Sequence, residues 1–294
     1  MMSDGPETPP PDPRRHAYRE DLAAESLRGR VSAPRYTPGE LRQAIHSATP
    51  LRDKPDARES WTSEVLFGET VTVYEEHDGW AWVQLERDGY VGYLRASALS
   101  AQLHTPTHRV RALGSFFYPA PNVKAPPWMH VSMNSLVAVV DMSQPFARLA
   151  GDSFIPARHI VELERPARDY VAVAERFLGA PYLWGGRTRL GIDCSGLVQV
   201  ALHAAGMDCP RDSDMQQAEL GADVAIGSDL EELVRGDLVF WEGHVGIMAD
   251  GFLLLHANAH HMAVVVEPVR GVADRVAKTG QQISAIKRLT GAAA

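Results

Sequence analysis

Residues 61–99 break into short runs, SEVLFG, ETVTVYEE, WAWVQL and YVGYL, with turn signals at Gly68, Asp78-Gly79 and Asp88-Gly89. Successive side chains of a strand point to opposite faces, so runs this short, joined by turns this tight, suit a small antiparallel all-β unit. The spacing predicts a small barrel over 56–103, with Trp80 and Trp82 on one face and most simply in its core. Residues 136–140, 146–149 and 153–156 repeat the rhythm, and Pro119, Pro121, Pro126 and Pro127 force a long irregular loop before them. A second barrel over 104–166 is therefore expected.

From Arg168 the period changes from two to that of a helix. Residues 169–178 carry Val171, Ala174, Phe177 and Leu178 on one stripe, and Asp193 is placed to cap a helix with Leu197, Val198, Ala201 and Leu202, which Gly206 ends. Three strand patterns follow: DLVFW, HVGIMAD and FLLLHAN. The expected divisions are a disordered proline-rich tail over 1–15 and a lead-in with short helices over 16–55, at 21–27 and 38–45. The two barrels come next, then an α+β domain over 167–294.

At 294 residues the chain has room for two domains or three small ones, and 45% apolar with 22% charged residues is ordinary for a chain that buries a core. Its formal charge of −8, without a basic block, gives no footprint for a phosphate backbone, so nucleic acid is not an expected partner. No apolar run has the length of a secretory signal or a membrane span, so a cytoplasmic location away from the membrane is expected. Two cysteines, Cys194 and Cys209, are too few for a disulfide framework, which leaves reactivity as a reason to keep one.

Cys194 directly follows the cap residue, where unpaired amide N–H groups and the positive end of the helix dipole favour a thiolate. A buried structural cysteine is the competing reading for Cys194 alone, and Cys209, before Pro210, reads as structural. The nucleophile needs a base, and His244 and His256 flank the turn signal Asp250-Gly251. A hairpin with a three-residue loop at 249–251 would set the two histidines directly opposite each other, one as base and one as its orienter. A register slipped by one residue would put them on opposite faces. The group His256, His260 and His261 invites a zinc reading, but no CxxC or HExxH accompanies it, so no metal or cofactor is expected. Trp184-Gly185-Gly186 is explained by a tight turn.

The ordered blocks PYLWGG, DCSGLVQ, PRDS, RGDLVFW, HVGI and HA, from Pro181 to Ala257, resemble the NlpC-type papain-like cysteine peptidases of bacterial cell-wall peptides. The resemblance implies Cys194 as nucleophile, His244 as base and His256 as its orienter. It implies Tyr182 as a hydroxyl donor near the reacting carbonyl, and Asp193, Ser195 and Ser213 around a D-glutamyl group. The preceding barrels resemble the bacterial SH3-like domains of enzymes that cut γ-D-glutamyl-L-diamino acid bonds, which implies that Glu64 and Tyr93 hold the substrate's free amine. The expected architecture is then an α+β papain-like peptidase domain preceded by two all-β SH3-like barrels. The expected substrate is a murein tripeptide or tetrapeptide with a free N-terminal L-alanine, cleaved during peptide recycling. Diaminopimelate and lysine remain open as the diamino acid. A cell-wall-binding adaptor with a degenerate domain, or an amidase or acyltransferase of the same superfamily, are the alternatives.

Overall fold

The computed structural model describes residues 10–225, 227 and 230–289, so most of the expected tail, residues 1–9, lies outside the described residues. Residues 10–15 depart from that expectation. The Val91 amide donates to the Arg14 carbonyl at 2.8 Å and the Gln84 side chain donates to the Arg15 carbonyl at 2.7 Å, tying this segment to the first sheet.

That sheet has seven strands, in the order Trp61–Leu66, Ala48–Arg52, Val91–Arg95, Trp80–Leu85, Thr70–His77, Glu40–Ala44 and Leu99–Ser100. It is not a closed barrel, and it begins earlier in the chain than the turn signals suggest. The helix expected over 38–45 is instead the strand Glu40–Ala44, registered antiparallel with Glu40 opposite Val73. Eight residues are too few for an independently stable helix, whereas an open sheet edge offers a full row of hydrogen-bonding partners. Residues 21–27 are likewise a strand, Leu22–Ala24, parallel to Arg35–Thr37, followed by a short 3-10 turn, Glu25–Leu27. Leu22, Ala24 and Leu27 pack against Trp82, so the lead-in covers the first sheet.

The second expected barrel is not found as such. Residues 108–162 form three small sheets: His108–Val110 between Leu136–Val137 and Ile160–Glu162, Gly114–Phe117 with Met129–Ser132, and a meander of Val139–Met142, Phe146–Leu149 and Ser153–Pro156. The proline-rich loop separates Phe117 from Met129, and without regular pairing there the strands cannot propagate into one ladder. Val110, Phe117, Val131 and Ile155 nevertheless make a local core.

The C-terminal half has mixed composition. Helix α1, Tyr170–Glu175, packs on α2, Cys194–Ala204, and α2 packs on a six-stranded antiparallel sheet. The sheet order is Ala222–Asp223, Ala285–Arg288, Leu238–Trp241, His244–Met248, Leu253–Asn258 and Ala263–Pro268. Helix α3, Ser213–Glu219, lies against α2 and sends Met215 into the core of the first sheet, and α4, Val269–Ala277, packs on the strand Ala263–Pro268. Every residue of α2 is buried, including Gln199 and His203. The Gln199 amide nitrogen donates across the domain junction to Asp88 at 2.9 Å and within the C-terminal half to the Cys209 carbonyl at 3.1 Å.

Candidate active site

Asp193 caps α2 by accepting the Gly196 amide at 2.7 Å, and its other oxygen accepts the Gly185 amide at 2.8 Å. Gly185 has φ +78°, and a Cβ there would meet the Trp61 side chain at 2.7 Å, so the turn before the nucleophile is both left-handed and pressed against the first sheet. The buried Arg211 grips both oxygens of Asp193, at 3.0 and 2.6 Å, and donates to Ser195 Oγ at 2.8 Å and Ser63 Oγ at 3.1 Å. The start of the helix is thereby fixed to two domains at once. Arg211 carries this arrangement and is absent from the sequence reading, although it stands inside the PRDS block.

Cys194 opens α2, and its sulfur lies 4.0 Å from the carbonyl of Gly243, the residue before His244. Burial pushes the thiol up to about 12, the neighbouring Asp193 adds to this, and the Val245 and Ser195 amides oppose it. The helix start alone argues for a depressed value; desolvation of the charged form outweighs it here.

The hairpin turns about Gly251, one residue later than expected, with the Ala249 amide bonded to the Leu253 carbonyl at 2.7 Å. Ile247 pairs with Leu255 and Met248 with Leu254, a register that, extended, sets Gly246 opposite His256 and leaves His244 diagonal to it. The shift is even, so both histidines stay on one face. Diagonal neighbours are within reach of aromatic side chains, and His244 Nε2 lies 2.8 Å from His256 Nδ1.

His256 Nε2 in turn lies 2.9 Å from Glu267 Oε1, and Arg275 grips Glu267 through two bonds of 2.8 and 2.6 Å. Glu267 belongs to the strand Ala263–Pro268, whose sequence shows only an apolar run, and pairs opposite Leu254. Its distance in sequence from the motif blocks hid it. The charge-assisted bond to Glu267 requires a proton on His256 Nε2, although the Asn258 amide nitrogen is also 3.0 Å away. That tautomer makes His256 Nδ1 an acceptor for His244 Nε2–H and leaves His244 Nδ1 with a free lone pair. Burial, then His256, lowers His244 to about 3; burial also lowers His256; Arg275 is the main cause that holds Glu267 down at about 2. These shifts favour neutral imidazoles and a neutral thiol in the resting site.

A cavity of about 430 Å³ opens beside Cys194. Asp193, Ser195 and Ser213 line it with Arg211, Asp212 and Trp184, and the first sheet supplies Trp61 and Tyr90. Tyr90 donates its hydroxyl to Asp212 at 2.9 Å, and Arg14 reaches the same carboxylate oxygen at 3.0 Å. Tyr182 is half-buried against the core that contains Cys194, and burial together with the nearby thiol raises its hydroxyl. The carboxylate of Asp193 and hydroxyl of Ser195 are occupied by Arg211, so these two residues shape the cavity rather than offer it free polar groups.

Glu64 and Tyr93 are not brought to this cavity. Glu64 is buried and accepts the Arg187 amide at 2.6 Å, a structural contact between domains. Tyr93 lies in a separate depression with Trp82 and Glu75, where Arg19 donates to its hydroxyl at 3.0 Å. Tyr93 stands opposite Trp82 on the neighbouring strand and so shares the face that the lead-in covers. A larger cavity of about 740 Å³, lined by Asp12, Asp88, Cys209 and Glu219, does not include Cys194. Among the described residues no group of His, Cys, Asp and Glu has the arrangement of a metal site. No helix among them is long and apolar enough to cross a membrane.

Residues 51–99 match the family model described as a bacterial dipeptidyl-peptidase Sh3 domain, and residues 179–278 match that of the NlpC/P60 family. The chain is similar to a γ-D-glutamyl-L-lysine dipeptidyl-peptidase of Bacillus subtilis, 29% identical over 66% of this chain and 71% of that protein. It is similar to a protein of the same name from Bacillus cereus, 31% identical over 34% of this chain and 26% of that one. A crystal structure of an NlpC/P60 family protein from Bacillus cereus covers 85% of this chain and 99% of its own with a TM-score of 0.70, at 19% identity, a likeness of fold.

Proposed function

We propose that this chain, which carries an NlpC/P60 peptidase domain behind an Sh3 domain, is a cysteine endopeptidase that cleaves the γ-D-glutamyl-L-diamino acid bond of short murein peptides. The observation that carries the reading is the series from Arg275 through Glu267 and His256 to His244, whose neighbour Gly243 lines the cavity that holds Cys194.

In this mechanism Cys194 Sγ attacks the γ-carbonyl carbon as its proton passes to His244 Nδ1. The neutral resting pair makes this a concerted general-base step rather than attack by a preformed thiolate. The oxyanion is received by the Cys194 amide at the start of α2 and by the Tyr182 hydroxyl. His244 then gives its proton to the leaving amine, the C–N bond breaks, and a thioester remains. Water attacks it, with His244 again taking a proton, and the thiol is restored. His256 holds the tautomer of His244, and Glu267 holds that of His256.

The first sheet walls one end of the cavity, which favours a short substrate over an intact cell-wall strand. With Glu64 committed elsewhere, Asp212 is the acid best placed for a free N-terminal amine, oriented by the Tyr90 hydroxyl. An enzyme restricted in this way suits peptide recycling in the cytoplasm. The test is mass spectrometry of L-Ala-γ-D-Glu-diaminopimelate, its lysine counterpart and their N-acetylated forms after incubation with the full chain. Release of the dipeptide L-Ala-D-Glu from the free peptides, and at least tenfold slower release from the acetylated ones, is the expected result. Failure to cut any of the four overturns the proposed bond; equal rates on free and acetylated peptides overturn the amine subsite alone.

A further inference from the structure

A separate cavity of about 160 Å³ lies where the middle segment of the chain meets the C-terminal half, lined by Arg109, Arg111, Arg165 and Arg176 together with Asn134 and Ala204. None of the four arginines falls within 51–99 or 179–278, the stretches that match family models. No carboxylate lines this cavity among the described residues.

The partners of these arginines make the charge imbalance specific. Arg109 is buried, yet among the described residues its guanidinium donates only to backbone carbonyls: Glu162 at 3.3 Å, Arg165 at 3.0 Å and Ala204 at 2.7 Å. Arg176 likewise donates to the Arg111 carbonyl at 3.0 Å. Carbonyls satisfy N–H groups but do not neutralise charge, and buried charge without a counter-charge is costly. Asp169, which caps α1, and Glu175, which ends it, are both paired with Arg235. Burial lowers both Arg109 and Arg176, and Arg111 opposes the charge on each.

We infer that this four-arginine cavity is a binding site for a small oxyanion of the phosphate class. At about 30 Å³ per water its volume holds roughly five waters, the scale of a tetrahedral phosphate rather than of a nucleotide. Guanidinium groups match phosphate oxygens in geometry and stay charged when partly dehydrated, which lysines would do less well. Arg109 also bonds the last carbonyl of α2, the helix that Cys194 opens, so the occupied site would pin the far end of that helix against the middle segment. The inference does not depend on the proposed reaction.

The test is the melting temperature of the full chain in inorganic phosphate, in a phosphate monoester such as glycerol phosphate, and in sodium chloride at matched ionic strength, for wild type and for Arg111→Ala/Arg176→Ala. Both substituted side chains are exposed, and neither lies in the catalytic cavity. Millimolar phosphate is expected to raise the melting temperature by several degrees beyond the chloride control, and the double variant to lose most of that increment. A larger shift with the monoester would identify an organic phosphate as the natural source, and an equal or smaller one free phosphate. Equal shifts in phosphate and chloride, or an increment undiminished in the double variant, would overturn the site. Should the double variant not fold, titration of wild type by isothermal calorimetry decides: saturable binding with near one-to-one stoichiometry supports the site, and heats no greater than dilution overturn it.

Discussion

Glu267→Gln removes one charge and changes almost nothing in shape, and so isolates what the carboxylate does for the two histidines. In the native site Glu267 accepts from His256 at 2.9 Å and from Arg275 at 2.8 and 2.6 Å. An amide oxygen in the place of Oε1 can still accept from both His256 and Arg275, but the NH₂ then faces the other Arg275 nitrogen, donor against donor. When the NH₂ faces His256, that ring must accept at Nε2, its proton moves to Nδ1, and His244 is left protonated on Nδ1, the nitrogen proposed as the base. Replacing a charge-assisted bond by a neutral one costs about 1–1.5 kcal/mol, so kcat should fall roughly tenfold, with KM little changed. Stability responds as well. Glu267 lies near 2 in the fold against an ordinary 4.5, and a folded-state value that is depressed gives stability that is present above the ordinary value and lost as pH falls from about 4.5 through about 2. Fully expressed, that difference is roughly 3 kcal/mol. Urea unfolding of both proteins from pH 7 down to pH 3, alongside kinetics on the tripeptide, reads out both effects. An unchanged kcat would refute the proton relay, and identical acid limbs would refute the ionised carboxylate.

Three further outcomes follow from the site. Alkylation of Cys194 by iodoacetamide should be slow at pH 7 and rise about tenfold per pH unit through pH 9, because burial holds the thiol near 12; a plateau reached near pH 6 would show a preformed thiolate instead. His244→Ala should lose turnover as completely as Cys194→Ala, on the order of 10³-fold or more, while His256→Ala keeps a larger residue; equal loss at all three would make His256 more than an orienter. Arg211→Ala should destabilise by about 3–5 kcal/mol in chemical denaturation, since it strands the buried Asp193; a change below 1 kcal/mol would refute the account of how α2 is anchored.

Much of this was legible in local sequence pattern. Period-two runs marked the strands of the first sheet after residue 60, and the cap at Asp193, the periodicity of α2 and the two histidine strands all have counterparts in the structure. What local pattern could not supply was long-range pairing. Residues 40–44 carry no strong strand signal and became a strand because the neighbouring sheet had an edge to fill. The parity of the His244–His256 hairpin, which puts both rings on one face, could be argued from a turn signal; its register could not, because loop length alone leaves shifts of two residues open. Glu267 was invisible because only the pairing of the Ala263–Pro268 strand brings it to His256. Arg14 and Arg211 were missed for the same reason: each acts on a carboxylate that the fold, not the chain order, sets beside it. Glu64 and Tyr93 show the converse error, since proximity in sequence to the right domain does not say which face a strand residue points to.

Formation of an acyl-enzyme between Cys194 and the glutamyl half of a murein peptide can be followed by acid-quenched intact-protein mass spectrometry during turnover of L-Ala-γ-D-Glu-diaminopimelate. A transient adduct with the mass of the L-Ala-D-Glu acyl group is expected. It should map to the tryptic peptide that contains Cys194, be released by hydroxylamine and be absent from Cys194→Ala. Continued release of L-Ala-D-Glu by Cys194→Ala at the wild-type rate, with no adduct in either protein, would contradict it.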